Sequence, residues 1–199
     1  MKRSSRYILA GVVILVFLIV VIHLANTKTF RGRVVDADTK EPIEGAVVVA
    51  YWYKESWIPL GENLVKLKDV KETLTDKNGQ WSIRGPSGSG VNSLSYGFAV
   101  AGIFYHTREP GFIIFKPGYC SWPNGFHIET CRERLKPKLT DELRGGGTAE
   151  LPKLTNREDR IRSQAIQEPA AEGVDEKLRE FHRLLNEERR NLGLGEIHY

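Results

Sequence analysis

The sequence predicts a mainly β protein, in which a seven-stranded β-sandwich lies between an N-terminal transmembrane helix and a C-terminal helical tail. Three observations indicate this. An apolar run lies near the N-terminus, short alternating segments separated by Gly, Pro and Asn turns fill the middle, and an apolar stripe of helical period lies near the end. The corresponding divisions are residues 1–27 (anchor), 28–135 (sandwich) and 136–199 (linker and C-terminal helices).

The anchor is predicted from an uninterrupted apolar stretch. Residues 8–22 carry no charged or polar side chain, and the run continues through Leu24 and Ala25. About 20 apolar residues span a bilayer as a helix, so we expect a transmembrane helix over residues 7–25. The alternative is a cleaved signal peptide, whose apolar region is about 7–15 residues long and ends at a small-x-small site. Because His23 and Leu24 occupy the positions before any cut, we favour an uncleaved, single-pass anchor.

The net charge of +4 comes mostly from the N-terminal flank. Lys2, Arg3 and Arg6 precede the apolar run, and without them the chain has 26 basic and 25 acidic residues. The basic pI therefore gives little reason to expect a nucleic-acid partner. These three charges favour a cytoplasmic N-terminus, although Lys28, Arg31 and Arg33 lie on the opposite flank.

The middle of the chain is predicted to form short strands. Residues 46–53 are apolar on both faces of a strand, which is typical of a central strand covered on both sides. An Asn-Gly turn joins a hairpin of residues 70–75 and 80–84, and a long connection covers residues 55–69. The other predicted strands are 30–35, 96–105, 111–115 and 126–130, and residues 85–90 are predicted to be a flexible loop.

Four short motifs follow one another in a fixed order. They are Gly32-x-Val34-x-Asp36, Pro42-Ile43-x-Gly45-Ala46-x-Val48, Thr75-Asp76-x-x-Gly79-x-Trp81-x-Ile83 and Pro117-Gly118-Tyr119. Together they resemble the carboxypeptidase regulatory-like domain, whose fold is a transthyretin-like (prealbumin-like) β-sandwich. The resemblance covers about residues 29–120 and departs from the family at residues 55–69 and 85–110. It implies a non-catalytic accessory module, and it brings no catalytic residues to this chain.

The two cysteines, Cys120 and Cys131, lie in a segment rich in Gly, Pro and Asn. In an oxidising compartment they are expected to pair. The alternative is two unpaired thiols, while zinc would require a second pair of ligands that the spacing does not supply. We therefore expect the main domain on the periplasmic or extracellular side of a bacterial inner (cytoplasmic) membrane.

Past Cys131 the composition becomes polar and charged. Residues 145–147, all glycine, mark a linker, and residues 155–158 match a capping box with Thr155 first. A second helix is predicted over residues 175–191, with an apolar stripe that includes Leu178, Phe181 and Leu185. Two interpretations stay open for this stripe. It packs back on the sandwich, or it is a docking helix for an envelope protein or for another copy of the chain.

No constellation of residues predicts catalysis, a metal or a cofactor. The five histidines are scattered, and none has the spacing of a metal-binding motif. Asp36 and Asp38 predict a turn rather than a calcium site. Strand phase places Trp52 and Trp81 in the core. Trp57 and Trp122 lie on predicted loops, where an exposed ring would stack on a ligand, although loop tryptophans often cover a sandwich edge instead.

We therefore expect a non-catalytic, membrane-tethered module outside the cytoplasm that binds proteins or acts as an envelope scaffold. Its expected contacts are the membrane, through residues 7–25, and a protein partner. One alternative is a carbohydrate-binding or adhesive module that uses Trp57 and Trp122. The other is a transthyretin-like hydrolase, but that class uses a C-terminal Tyr-Arg-Gly-Ser, whereas residues 196–199 read Glu-Ile-His-Tyr.

Overall fold

The computed structural model describes residues 11–14, 17, 27–57, 64–92, 103–136 and 138–199. Residues 11–14 and 17 are helical, and the rest of the predicted transmembrane segment, residues 7–25, lies outside the described residues. Within that described part of the chain, no helix is both long enough and apolar enough to cross a bilayer. The membrane anchor therefore stays a prediction.

The described residues form a mainly β structure with a few helices. Its strands are β1 (Thr27–Asp36), β2 (Val47–Trp57), β3 (Leu64–Leu74), β4 (Gln80–Pro86), β5 (Ser89–Asn92), β6 (Ile103–Thr107), β7 (Gly111–Phe115) and β8 (Thr148–Leu151). The α-helices are α1 (Glu129–Arg132), α2 (Leu139–Arg144), α3 (Arg157–Ser163) and α4 (Arg179–Asn191). Two 3-10 helices cover Asn124–His127 and Asp175–Lys177.

The strands make two sheets that pack face to face. Sheet A has the order β4-β1-β8, and sheet B has the order β3-β2-β6-β5 with β7 also paired to β2. Between the sheets, Phe30 of β1 contacts the rings of Trp52 and Phe112, at centroid distances of 6.1 Å in both cases. Trp52 and Trp81 are both buried in this core, as their strand phase predicts.

Strand β2 is buried on both faces, which confirms its prediction as a central strand. Its Val48 and Ala50 belong to the core between the sheets, whereas Val47 and Val49 belong to a second core with the C-terminal helix. Each of these three valines contributes about 1.5–3 kcal/mol when fully buried. The apolar residues on the second face are thus explained by helix α4, which covers sheet B.

Polar contacts fix α4 on sheet B. The carboxylate of Glu72, on β3, accepts the backbone N–H groups of Glu180 (2.8 Å) and Phe181 (2.9 Å) at the start of the helix. These are two of the N–H groups that a helix N-terminus leaves without a partner inside the helix. Lys177 donates to Asp69 at 2.9 Å just before the helix. The sheet therefore supplies the N-terminal cap of the helix that packs on it.

Several predicted boundaries differ from the structure. The long connection at residues 55–69 is mostly strand, because a register shift after Trp52 lets β2 and β3 continue pairing as far as Ser56 and Leu64. Residues 85–90, predicted as a loop, contain the end of β4 and the start of β5. Of the strand predicted at 96–105, only residues 103–105 lie among the described residues, and they belong to β6.

The strand predicted at residues 126–130 is wrong. Residues 124–127 form a 3-10 helix and residues 129–132 form α1. The Cα atoms of Cys120 and Cys131 lie 5.9 Å apart, although the two residues are separated by 11 positions. A straight strand would carry these cysteines apart, at about 3.3 Å per residue, so the segment must fold back on itself.

The C-terminal segment is part of the sandwich rather than a tail attached to it. After the three glycines, β8 pairs in parallel with β1, from Arg33 opposite Thr148 to Asp36 opposite Leu151. Ala149 and Leu151 are fully buried in the core between the sheets. Because β8 has only four residues, its alternation is too short to be recognised, and the sequence does not predict this strand.

Candidate functional site

An open groove lies on the outer face of sheet A, beside the end of β3. Its volume is about 700 Å³. It is lined by residues of β1 and β4, by the end of β3, by the turn between β3 and β4 and by the glycine turn before β8: Arg31, Gly32, Arg33, Thr73, Leu74, Asp76, Gln80, Trp81, Ser82 and Gly146.

The alternation of β1 places two arginines in this groove. Phe30 and Val34 point into the core, so Arg31 and Arg33 are exposed on the outer face. The antiparallel register sets Ser82 opposite Arg31 and Gln80 opposite Arg33. Two guanidinium groups and two uncharged polar side chains therefore lie side by side on one sheet face.

The groove has an excess of positive charge. Among the described residues, neither Arg31 nor Arg33 forms an ion pair with a carboxylate, and the guanidinium group of Arg33 donates only to the backbone oxygen of Asn78, at 2.9 Å. The carboxylate of Asp76 accepts the backbone N–H groups of Asn78 and Gln80, both at 2.8 Å, and so stabilises the turn. The guanidinium groups are therefore available to an anionic ligand.

A second cluster lies in the C-terminal segment. The side chains of Glu168, Asp175 and His182 bring one ligand atom each within 4.8 Å of one another. Nε2 of His182 lies 2.8 Å from Oε2 of Glu168, and the imidazole stacks on the ring of Tyr199 at a centroid distance of 3.5 Å. Burial raises the pKa of the Tyr199 phenol, and the negative charge of Glu168 raises it further.

The predicted cysteine pair is present as a disulfide. Cys120 and Cys131 are bonded to each other, and both are fully buried in the core between the sheets. The bond joins the segment after β7 to helix α1. It is therefore a structural cross-link inside the sandwich.

The structure describes the side chain of only one of the two predicted loop tryptophans, Trp122. Trp57 is the last residue of β2 rather than part of a loop, and its side chain lies outside the described part of the chain. Trp122 is 4% exposed, and its indole N–H donates to the hydroxyl of Thr140 at 3.1 Å. The prediction of an exposed stacking ring is therefore corrected for Trp122, which fills the core instead.

The predicted docking stripe is also corrected. Leu178, Phe181 and Leu185 are all buried, and they pack in the second core against sheet B. The ring of Phe181 lies 6.1 Å from the ring of Phe115 on β7. Of the two interpretations of this helix, the structure supports packing back on the sandwich, because the apolar residues on the outer face of β2 and β7 need a cover.

The structure confirms the predicted turn at Asp36 and shifts the predicted helix cap near Thr155. One oxygen of Asp36 accepts the backbone N–H groups of Asp38 and Thr39 at 2.8 and 3.0 Å, which is the turn expected at this position. Burial raises the pKa of Asp36, but hydrogen bonds from Thr39 and Asp38 outweigh it and leave the pKa below its ordinary value. The predicted capping box is shifted by one residue, because the side chain of Asn156 rather than that of Thr155 caps α3.

The sequence predicts neither the groove of Arg31 and Arg33 nor the cluster of Glu168, Asp175 and His182. The groove depends on the register of β1 and β4, which alternation alone does not specify. Glu168, Asp175 and His182 are spaced seven residues apart, but they lie in a loop, a 3-10 helix and an α-helix. The only available signal was this regular spacing, which matches no common ligand motif.

Comparison with protein-family models, with curated proteins and with solved structures finds no match to this chain. The resemblance to the carboxypeptidase regulatory-like domain therefore stays a prediction.

Proposed function

We propose that this protein is a non-catalytic β-sandwich module, tethered to a bacterial cytoplasmic membrane on its outer side, and that its groove binds an acidic segment of an envelope protein. We further propose that the sandwich is of the prealbumin-like type. The observation that carries the binding function is the pair of exposed arginines, Arg31 and Arg33, without a carboxylate partner among the described residues.

Charge complementarity supports an acidic partner. Arginine binds carboxylates in a bidentate geometry that a lysine cannot reproduce, and complementary charge also accelerates association. Gln80 and Ser82 beside the arginines add donors and acceptors for the backbone of a bound segment. The groove is open and mixed in polarity, which fits a peptide better than a small apolar ligand.

Two further features support the location. The Cys120–Cys131 disulfide is typical of proteins outside the reducing cytoplasm. The predicted membrane span ends at residue 25, and β1 begins at Thr27. The sandwich would therefore lie close to the membrane surface, and its partner would be a membrane protein or a protein bound near the membrane.

The binding proposal is tested with the purified full-length chain in detergent. The probe is a fluorescent Glu-rich peptide, compared with a Lys-rich peptide of equal length by fluorescence anisotropy. We expect the acidic peptide alone to bind, and R31E combined with R33E to weaken it by about tenfold or more. Each single reversal, R31E and R33E, is also compared with the matched single reversal R132E, because Arg132 is an exposed arginine that lies on α1 outside the groove.

Equal binding of both peptides, or equal loss in R132E, would contradict the proposal. In cells, a photocrosslinking residue placed at Ser82 should capture an envelope protein in the wild type and lose it in the double reversal. Capture that is unchanged in the double reversal would mean that the arginines do not recognise the partner.

A further inference from the structure

We propose that Glu168, Asp175 and His182 form a binding site for a divalent transition-metal ion, with Zn²⁺ as the probe that suits it best. The three residues come from three different segments: the loop after α3, the 3-10 helix of residues Asp175–Lys177, and α4. Their ligand atoms lie within 4.8 Å of one another. The site is separate from the groove that contains Arg31 and Arg33, called the arginine groove from here on, so neither proposal depends on the other.

The distances suit one ion after small adjustments. With bonds of about 2.1 Å from zinc to nitrogen and oxygen, two ligand atoms of a tetrahedral site lie about 3.4 Å apart. Nε2 of His182 and Oε2 of Glu168 are now 2.8 Å apart, so they would separate by about 0.6 Å when both bind the ion. Asp175 is exposed, and its side chain can rotate towards the ion without disturbing the core.

The imidazole is held in place before any ion binds. His182 is 7% exposed, and the ring of Tyr199 lies parallel to it, with an interplanar angle of 1°. Its backbone N–H donates to the oxygen of Leu178 at 2.9 Å, within the well-packed start of α4. A fixed ring loses little side-chain entropy on binding a metal, which favours binding by only three ligands.

The donor set selects the class of ion. One imidazole nitrogen and two carboxylate oxygens suit Zn²⁺ and its neighbours in the first transition row, and affinity at such sites rises toward the end of that row. Calcium and magnesium prefer oxygen ligands only. Three protein ligands leave at least one coordination position open.

Of the three proposed ligands, Glu168 also lines a cavity. A cavity of about 340 Å³ is lined by Glu168 and Tyr199 together with Arg189 and Gln164. The side-chain oxygen of Gln164 is buried and has no hydrogen-bond partner among the described residues. The cavity therefore brings a cation and an acceptor without a partner to the same side of Glu168.

The test is a titration of the full-length, tag-free chain with Zn²⁺ by isothermal calorimetry, repeated on conservative variants. E168Q and D175N remove one carboxylate each while preserving shape. Their controls are E172Q and E176Q, because Glu172 and Glu176 are exposed acids in the same segments but outside the cluster. We expect one ion per chain, weakened by about tenfold or more in E168Q and D175N and unchanged in both controls.

A second readout is thermal unfolding. A bound ion should raise the Tm of the wild type and of the controls, EDTA should reverse the increase, and D175N should lose it. D175N decides the question if E168Q does not fold, because Asp175 is exposed. Absence of saturable Zn²⁺ binding, or equal binding in D175N and E176Q, would overturn the proposal.

Discussion

The interaction of Glu188 with Arg160 gives the sharpest test of how the C-terminal helices are held. Glu188, on α4, is 2% exposed. Its two carboxylate oxygens accept hydrogen bonds from Nε and from a terminal nitrogen of Arg160, on α3, each at 2.7 Å. The backbone N–H of Gly118, in the turn after β7, adds a third hydrogen bond at 3.2 Å. One carboxylate therefore joins two helices to the sandwich.

Replacing Glu188 with Ala is expected to lower the free energy of unfolding by about 3 kcal/mol. Breaking a buried ion pair typically costs about 3–5 kcal/mol, because the remaining charge is left without a partner. We choose the lower end because the side chain of Arg160 is 26% exposed and can turn partly toward water. The Gly118 N–H also loses its acceptor, so a value well below 2 kcal/mol is not expected.

The assay is urea unfolding of the full-length chain, followed by tryptophan fluorescence. The control is E187A, because Glu187 is the adjacent residue, its side chain is 41% exposed, and it pairs with Arg183 on the surface at 3.3 Å. Such exposed pairs contribute about 0–1 kcal/mol. A double-mutant cycle with R160A should give a coupling energy above about 1 kcal/mol. If E188A and E187A destabilise the chain equally, the buried carboxylate does not hold these helices.

Three further predictions concern the helix cap, the disulfide and the acid response. Replacing Glu72 with Ala removes the acceptor of two backbone N–H groups at the start of α4, so the free energy of unfolding should fall by about 1–2 kcal/mol in the same urea assay. Reducing the Cys120–Cys131 bond opens a loop between residues 11 positions apart, and urea unfolding with and without reductant should differ by about 3 kcal/mol. The pKa of Asp36 is lowered in the fold, so its contribution is present above the pKa of the unfolded chain and is lost as the pH falls below about 4. D36N should reduce that acid-side loss of stability, measured by unfolding between about pH 2 and 5.

Each of these predictions has its own contradicting result. E72Q keeps one acceptor and should lie between E72A and the wild type, so equal loss in both variants would argue against capping. Reduction without any change in stability would show that the disulfide does not constrain the unfolded chain. An acid response in D36N identical to that of the wild type would assign the loss of stability to other carboxylates.

Local patterns in the sequence determined much of the sandwich. Alternation and turn residues located β1, β4 and β7 closely, because side-chain period and Asn-Gly geometry depend on neighbours in the chain. The two apolar faces of β2 indicated a strand covered on both sides. The cysteine pair and the stripe of α4 were also visible as patterns, and the structure confirms the bond and the helix.

Only the tertiary structure decided what those patterns contact. Residues 148–151 form strand β8 because they pair in parallel with β1. The apolar stripe of α4 covers sheet B instead of docking a partner. The arginine groove and the Glu168–Asp175–His182 cluster arise where distant segments meet. The physical reason is that period and propensity act over a few neighbouring residues, whereas register, packing and charge clusters depend on contacts between residues far apart in the chain.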